Sequence, residues 1–204
     1  MSELVNTHPA IYSPFPLKTR TFVAPFHFPG AACGTRFFAR MAHTLNLTIT
    51  ADVLATEADL TPAEAATWQA AQAATATSYS PYSHFQVGAA LLLDDGTVFG
   101  GSNQENAAYP SGLCAERTAL FGLAVARPGR RIVGMAVAAR PAGGAFGPAN
   151  PCGACRQVMA EYEQRQQQAI PLLLPGPDGS IYRFRSLSDL LPFGFNADDL
   201  PKVK

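Results

Sequence analysis

The chain has 204 residues, of which 48% are hydrophobic, and its 15 basic residues are balanced by 15 acidic ones. This length and composition predict one domain of ordinary size with an ample core, plus a short additional segment. No apolar run approaches the 18 or so residues of a membrane span, and no apolar signal sequence opens the chain, so we expect a soluble, cytoplasmic protein.

The charge is unevenly spread along the chain. The first 40 residues hold four basic residues and one acidic residue, which leaves 11 basic and 14 acidic residues, a net charge of −3, in the rest. An acidic domain is a poor candidate for binding a phosphate backbone. We therefore expect no nucleic-acid partner and no membrane partner.

Residues 1–40 are rich in Pro and Phe and show no sustained hydrophobic period. We interpret them as a mostly disordered N-terminal extension, with the globular domain at 41–204. Two other readings remain open: an acid-poor organelle-targeting segment, or upstream translation with Met41 as the natural start. The fourth cysteine, Cys33, is interpreted as a passive thiol.

The secondary-structure elements after residue 43 are predicted from hydrophobic periodicity and from capping and turn residues. Alternating apolar and polar residues over 45–50 predict a strand with one solvent-exposed face. A capping box over 61–64, with proline at the first helical position, predicts an Ala-rich helix to about Thr77 that packs Trp68 inward. A turn over 80–83 ends this helix.

The second half of the chain alternates strands with helices. Asp-Gly pairs at 95–96 and 178–179 predict two hairpins. The predicted elements are strands at 85–93, 97–103, 132–139, 170–174 and 180–185, helices from Cys114 to about Ala126 and from Cys152 to about Gln167, and a short helix at 187–191. This order predicts an α/β fold, with a mixed sheet covered by helices on both faces.

Three cysteines have the spacing of a metal site. Cys152 and Cys155 are three residues apart, about 60° around a helix, so both thiolates can face one metal. Cys114 supplies a third ligand, and a catalytic zinc needs three because its fourth position stays open. Cys114 and Glu116 are only two residues apart, so we expect the metal to lie over the N-terminal end of their helix.

The surroundings of these cysteines favour thiolates and proton transfer. Two helix N-termini would offset the negative charge, and Arg117 or Arg156 could hydrogen-bond to a ligand sulfur. Glu116 is the predicted catalytic residue, because a carboxylate beside zinc can take a proton from water and pass it on. A ligand-x-Glu motif followed by Pro-Cys-x-x-Cys is typical of zinc deaminases. Alone, the Cys-x-x-Cys would equally suit a structural zinc knuckle or a redox pair.

From about Thr61 to Leu200 the sequence resembles a cytidine deaminase of the small, three-cysteine, homotetrameric, zinc-dependent type. The resemblance rests on five segments: residues 80–89, 103–109, 114–117, 151–157 and 190–192. It implies a three-layer α/β/α sandwich with a five-stranded mixed sheet. It also implies Zn²⁺ as cofactor and a nucleoside as the substrate.

The resemblance also implies roles for five residues outside the zinc set. Phe85, Asn103 and Glu105 match positions that hold the nucleoside, the last two through the ribose hydroxyls. The backbone N–H of Ala115 should contact the base carbonyl, and Phe195 should reach the nucleoside of an adjacent subunit. Taken singly, Phe85 and Phe195 suit core residues, and Asn103 and Glu105 suit turn or cap residues.

Together these residues predict a hydrolase that converts cytidine, and 2'-deoxycytidine, to the uridine and ammonia in pyrimidine salvage. The expected assembly is a homotetramer with shared active sites. One rival is a deaminase of another cytosine nucleoside such as blasticidin S, although Asn103 and Glu105 speak against it. A second rival is a catalytically silent, zinc-stabilised binding protein.

Overall fold

The computed structural model describes residues 44–201, so the predictions for residues 1–40, including Cys33, lie outside the described residues. In chain order the elements are β1 (Ala51–Leu54), α1 (Pro62–Ala74), β2 (Phe85–Leu93), β3 (Val98–Ser102), α2 (Ala115–Ala126), β4 (Ile132–Pro141), α3 (Gly153–Gln166), β5 (Leu172–Pro175) and β6 (Ile181–Phe184). No helix within 44–201 combines the length and apolarity that crossing a membrane requires.

The strands form one mixed sheet in the order β1-β6-β5-β4-β2-β3. Only β4 and β5 run parallel, and the other neighbouring pairs are antiparallel. The expected five strands become six because β1 pairs with β6 at the edge, with Leu54 opposite Ile181.

The predicted strand over 45–50 is wrong. Residues 44–50 have no regular structure, and Leu47 and Ile49 are exposed. Because β6 has only four residues, it offers pairing partners for Ala51–Leu54 and no further. An alternating pattern forms a strand only where another strand can accept its hydrogen bonds.

Helices cover both faces of the sheet, as predicted. On β2, Ala89, Leu91 and Leu93 face the core shared with α2 and α3, whereas Ala90 faces the core shared with Trp68 of α1. Successive strand residues point to opposite faces, so one apolar strand supplies both cores. The result is a three-layer α/β/α sandwich.

Two glycines let the helices approach the sheet closely. A Cβ at Gly88 would lie 2.1 Å from the Ala71 carbonyl oxygen of α1, and one at Gly101 would lie 2.5 Å from the Ala119 nitrogen of α2. No larger side chain fits either position without moving a helix. The Gly101 contact therefore sets the height of α2 above the sheet, and with it the position of the residues at its start.

The first helix begins at the predicted capping box. The Thr61 hydroxyl accepts a hydrogen bond from the Glu64 N–H, and the Glu64 carboxylate accepts one from the Thr61 N–H at 2.9 Å. Arg183 of β6 pairs with both Glu64 and Asp52. Burial opposes ionisation of Glu64, but the bonds from Thr61 and Arg183 outweigh it and lower the pKa of its carboxyl.

Candidate active site

The three cysteine sulfurs converge where α2 and α3 begin. Cys114 is the N-cap residue of α2, Cys152 is the N-cap residue of α3, and Cys155 lies in the first turn of α3. The Cys152 sulfur is 3.8 Å from that of Cys114 and 3.5 Å from that of Cys155, and all three lie within 4.8 Å of one another. Two helix N-termini therefore meet at one cluster of sulfurs, as the spacing predicts.

This donor set fits zinc. Ligand sulfurs at the usual Zn–S distance of about 2.3 Å lie roughly 3.8 Å apart in a tetrahedron, close to the two spacings above. Soft thiolates favour zinc over magnesium or calcium, and three ligands leave a fourth position open. The hydrogen bond from the Cys155 thiol lowers the pKa of Cys114 to about 5, and the same bond raises the pKa of Cys155. Negative charge on the sulfurs is thus already favoured at one ligand.

The two arginines near the cysteines, Arg117 and Arg156, have different hydrogen-bond partners. The Arg117 Nη2 lies 3.9 Å from the Cys114 sulfur and 3.4 Å from the Gly112 oxygen. Arg156 does not donate to a sulfur; its Nε donates to the Pro151 oxygen at 2.8 Å and its Nη1 to the Leu190 oxygen at 3.1 Å. Arg156 therefore ties the loop before Cys152 to a segment near the C-terminus, a contact that chain spacing does not reveal.

Glu116 lies beside the sulfurs in the first turn of α2, and only 4% of it is exposed. Its burial raises the pKa of its carboxyl, and the negative charge of Cys114 adds to that effect. An acidic residue in a first helical turn commonly stays in solvent, where it stabilises the helix dipole. Burial of this carboxyl beside three sulfurs is instead suited to proton transfer near a bound metal.

A cavity of about 540 Å³ opens above this cluster. Its wall combines Cys114, Cys152 and Glu116 with Phe85, Asn103 and Glu105, which lie at the start of β2 and just beyond the end of β3. This volume is in the usual range for small-molecule sites. Two of the three predicted metal ligands and three of the predicted substrate contacts therefore share one cavity with Glu116.

Asn103 is largely buried and nearly saturated with hydrogen bonds. Its Oδ1 accepts from the Ser78 hydroxyl at 2.6 Å and from the Val87 N–H at 2.8 Å, while its Nδ2 donates to the Phe85 oxygen at 2.9 Å. An amide Nδ2 has two N–H groups, so one remains for a ligand in the cavity. The same bonds fix the backbone of Phe85, whose ring is partly exposed at the cavity wall.

Glu105 holds the turn that precedes β2. Its Oε2 accepts from the backbone N–H groups of Tyr82 and Ser83 at 3.0 and 3.2 Å. Hydrogen bonding from Ser83 lowers the pKa of this carboxyl. The Oε1 atom of Glu105 has no hydrogen-bond partner within residues 44–201. Glu105 also lines the cavity. Glu105 therefore offers an ionised acceptor to a ligand.

Two predicted substrate contacts do not line this cavity. The Ala115 side chain is fully buried in the core, although its N–H lies in the first turn of α2, where helices leave N–H groups without intrahelical acceptors. Phe195 is 59% exposed and lies elsewhere on the surface, where its backbone oxygen accepts from the Gln157 Nε2 at 2.7 Å. Within one copy of the chain, Phe195 is therefore separate from the cavity.

The cavity wall includes residues that sequence reasoning missed, among them Tyr109, Leu113 and Val137. Tyr109 is 77% exposed and packs edge-on to Tyr82, with 6.3 Å between ring centres. Tyr109 lies in segment 103–109, one of the five on which the family resemblance rests. That resemblance is the sequence signal that could have identified it. Val137 lies in a buried strand, and nothing in its pattern distinguishes the cavity floor from the core.

Comparisons with known proteins identify the family. The family model described as the cytidine and deoxycytidylate deaminase zinc-binding region matches residues 63–169, just over half of the chain. The chain is similar to cytidine deaminase from Sporosarcina psychrophila, with 45% identity over 60% of this chain and 84% of that protein. It is also similar to cytidine deaminase from Mycobacterium tuberculosis, with 42% identity over 64% and 88%.

Among solved structures, the chain is similar to cytidine deaminase from Burkholderia pseudomallei, with 44% identity and a TM-score of 0.55. That match covers 64% of this chain and 97% of the solved chain. Residues 63–169 include both zinc segments as well as Asn103 and Glu105. The chain therefore belongs to the cytidine and deoxycytidylate deaminase zinc-binding family.

Proposed function

We propose that this protein is a zinc-dependent hydrolase that converts cytidine and 2'-deoxycytidine to uridine and 2'-deoxyuridine with release of ammonia. The observation that carries this proposal is the buried Glu116 carboxyl beside three converging sulfurs, in a cavity with room for a nucleoside. The relatives named cytidine deaminase, at 42–45% identity, support the same activity.

Cys114, Cys152 and Cys155 would hold the zinc ion, which supplies Lewis acidity that makes water a nucleophile near neutral pH. Glu116 moves the protons. It takes one from the water that attacks C4 of the pyrimidine and delivers it to N3. It then delivers the second water proton to the amino group on C4, whose bond to carbon breaks as ammonia leaves. C4 keeps the water oxygen as the new carbonyl.

Four further residues hold the nucleoside in our proposal. The free N–H of Asn103 and the unpartnered Oε1 of Glu105 are suited to bind ribose hydroxyls, because one donates and the other accepts. The partly exposed Phe85 ring packs beside the nucleoside, and the Ala115 N–H donates to the base carbonyl. Arg117 offsets the negative charge of the sulfurs.

A panel of nucleosides followed by ultraviolet absorbance tests this proposal, with ammonia release and zinc content measured on the same preparation. We expect turnover of cytidine and 2'-deoxycytidine with about one zinc per chain, as one three-thiolate site requires. Turnover of a cytosine antibiotic alone would favour the rival deaminase. Bound zinc without ammonia release from any nucleoside would favour a silent binding protein.

We further propose a cytoplasmic homotetramer that acts in pyrimidine salvage and completes each site with Phe195 of a neighbouring subunit. The exposure of this ring and its separation from the cavity of its own chain support that role. Phe195→Ala should raise KM while zinc content is retained. Mixing it with Glu116→Gln under subunit exchange should give an activity that differs from that of either parent. An active monomer, or normal substrate binding by Phe195→Ala, would contradict the shared site.

The proposed domain division is an N-terminal extension at 1–40 and a catalytic domain at 41–204. Its support is the extent of the comparisons. About 60–64% of this chain accounts for 84–88% of the length of the two relatives above.

A further inference from the structure

The C-terminal segment, residues 186–197, begins against α3 through a buried carboxylate. Glu163 of α3 accepts hydrogen bonds from the Ser186 hydroxyl at 2.7 Å and from the Ser188 N–H at 2.9 Å. Leu187, between these serines, is fully buried. The start of the segment is therefore fixed to α3 by both polar and apolar contacts.

Apolar anchoring weakens after Leu191. Phe193 is 83% exposed and adopts a left-handed φ of 60°, which is uncommon for a residue with a large side chain, and Phe195 is 59% exposed. A ring that is mostly in solvent does little to fix its own backbone. Another contact must hold this part of the segment in one place.

That contact comes from Gln157, two residues after the metal-site cysteine Cys155 on α3. Its Nε2 donates to the Phe195 oxygen at 2.7 Å. The next tie along the segment, from the Ala197 N–H to Gln164, is 3.5 Å long and is correspondingly weak. The Gln157 bond is thus the short polar link between the Phe195 backbone and the helix that carries two of the three sulfurs.

We infer that Gln157 is a positioning residue, which holds Phe195 in the orientation needed to contact a nucleoside in a neighbouring subunit. This inference rests on the proposed shared site. An exposed aromatic ring contributes most to binding when its backbone is ordered beforehand, because ordering it during binding costs free energy. Loss of one neutral hydrogen bond should then weaken substrate binding by roughly two- to ten-fold.

A double-mutant cycle on the full chain tests the inference. Gln157→Ala should raise KM by about two- to ten-fold with kcat, zinc content and melting temperature unchanged. Gln157→Glu should do the same, because an ionised carboxylate cannot donate to a carbonyl. Gln69→Ala, at an exposed glutamine of α1, is the matched control and should leave KM unchanged. In the Phe195→Ala background, Gln157→Ala should raise KM no further.

The double-mutant cycle distinguishes failure of the Gln157 inference from failure of the proposed shared site. A raised KM in Phe195→Ala with an unchanged KM in both Gln157 variants would overturn the inference and leave the shared site standing. Additive effects of Gln157→Ala and Phe195→Ala would also overturn it, since Gln157 would then act by another route. An unchanged KM in Phe195→Ala would overturn the shared site and this inference with it.

Discussion

Glu116→Gln should abolish nearly all activity while leaving the fold and the metal site intact. Glu105 and Glu116 are the two carboxylates of the cavity wall, and Glu105 is bound to the turn before β2. No other carboxylate within residues 44–201 lines the cavity, so both proton transfers are lost together. We expect a fall in kcat of about 10⁴-fold, the upper end of the range for general acid–base catalysis. This fall corresponds to about 5 kcal/mol of barrier.

The stability of Glu116→Gln should not fall with its activity. The amide has nearly the shape of the carboxylate, so no cavity forms in the core. It also removes a carboxyl whose ionised form is disfavoured by burial and by the negative charge of Cys114. The melting temperature of Glu116→Gln should therefore equal or exceed that of the parent protein.

The assay combines steady-state turnover of cytidine, zinc content and thermal unfolding. Asp94→Asn, at a partly exposed carboxylate near the tip of the β2–β3 hairpin, is the control and should retain full activity. A fall in kcat of less than about 100-fold would show that Glu116 is not the main proton carrier. Loss of zinc or a lower melting temperature would show that its role is structural.

Three further changes probe the metal site, the edge of the sheet and the N-terminal segment. Cys152→Ala should lose zinc and lower the melting temperature by an amount that a chelator reproduces in the parent protein, because the metal joins two helix N-termini. Glu64→Gln should lower the free energy of unfolding by about 1 kcal/mol at pH 7, or roughly 2–4 °C. The pKa of Glu64 is lowered in the folded state, so this deficit should be present above about pH 4 and vanish as acid protonates Glu64 in the parent protein. Deletion of residues 2–40 should leave kcat and melting temperature nearly unchanged, and a large loss of either would show that this segment supports the domain.

Features encoded by neighbouring residues could be predicted from the sequence. The capping box of α1 and the two Asp-Gly hairpins depend on local backbone chemistry, and glycines 96 and 179 adopt the positive φ that those turns need. The convergence of the sulfurs was also predictable, because Cys152 and Cys155 share one helical turn and the Cys114–Glu116 spacing requires a helix end. The order of strands and helices predicted a mixed sheet covered by helices on both faces, and the family resemblance added the five-stranded sandwich and the substrate class.

Features that depend on distant partners could not be predicted in this way. The strand β1 begins at Ala51 because of where β6 begins and ends, about 130 residues later. Arg156 points to Leu190 and Pro151, although its position beside Cys155 suggested a sulfur partner. In each case the partner is set by how the elements pack, and that information is not present in the spacing along the chain.

The placement of the sulfurs has a consequence for how the domain is joined. Cys114 and Cys152 are 38 residues apart, and the closed loop that a shared metal forms between them contains all of β4. A crosslink over a loop of that length, if it persisted in the unfolded chain, would remove chain entropy worth about 4 kcal/mol at 25 °C, by the relation used for disulfides. Because β4 pairs with both β2 and β5, the metal constrains the middle of the sheet. Release of the metal would therefore loosen the central strands.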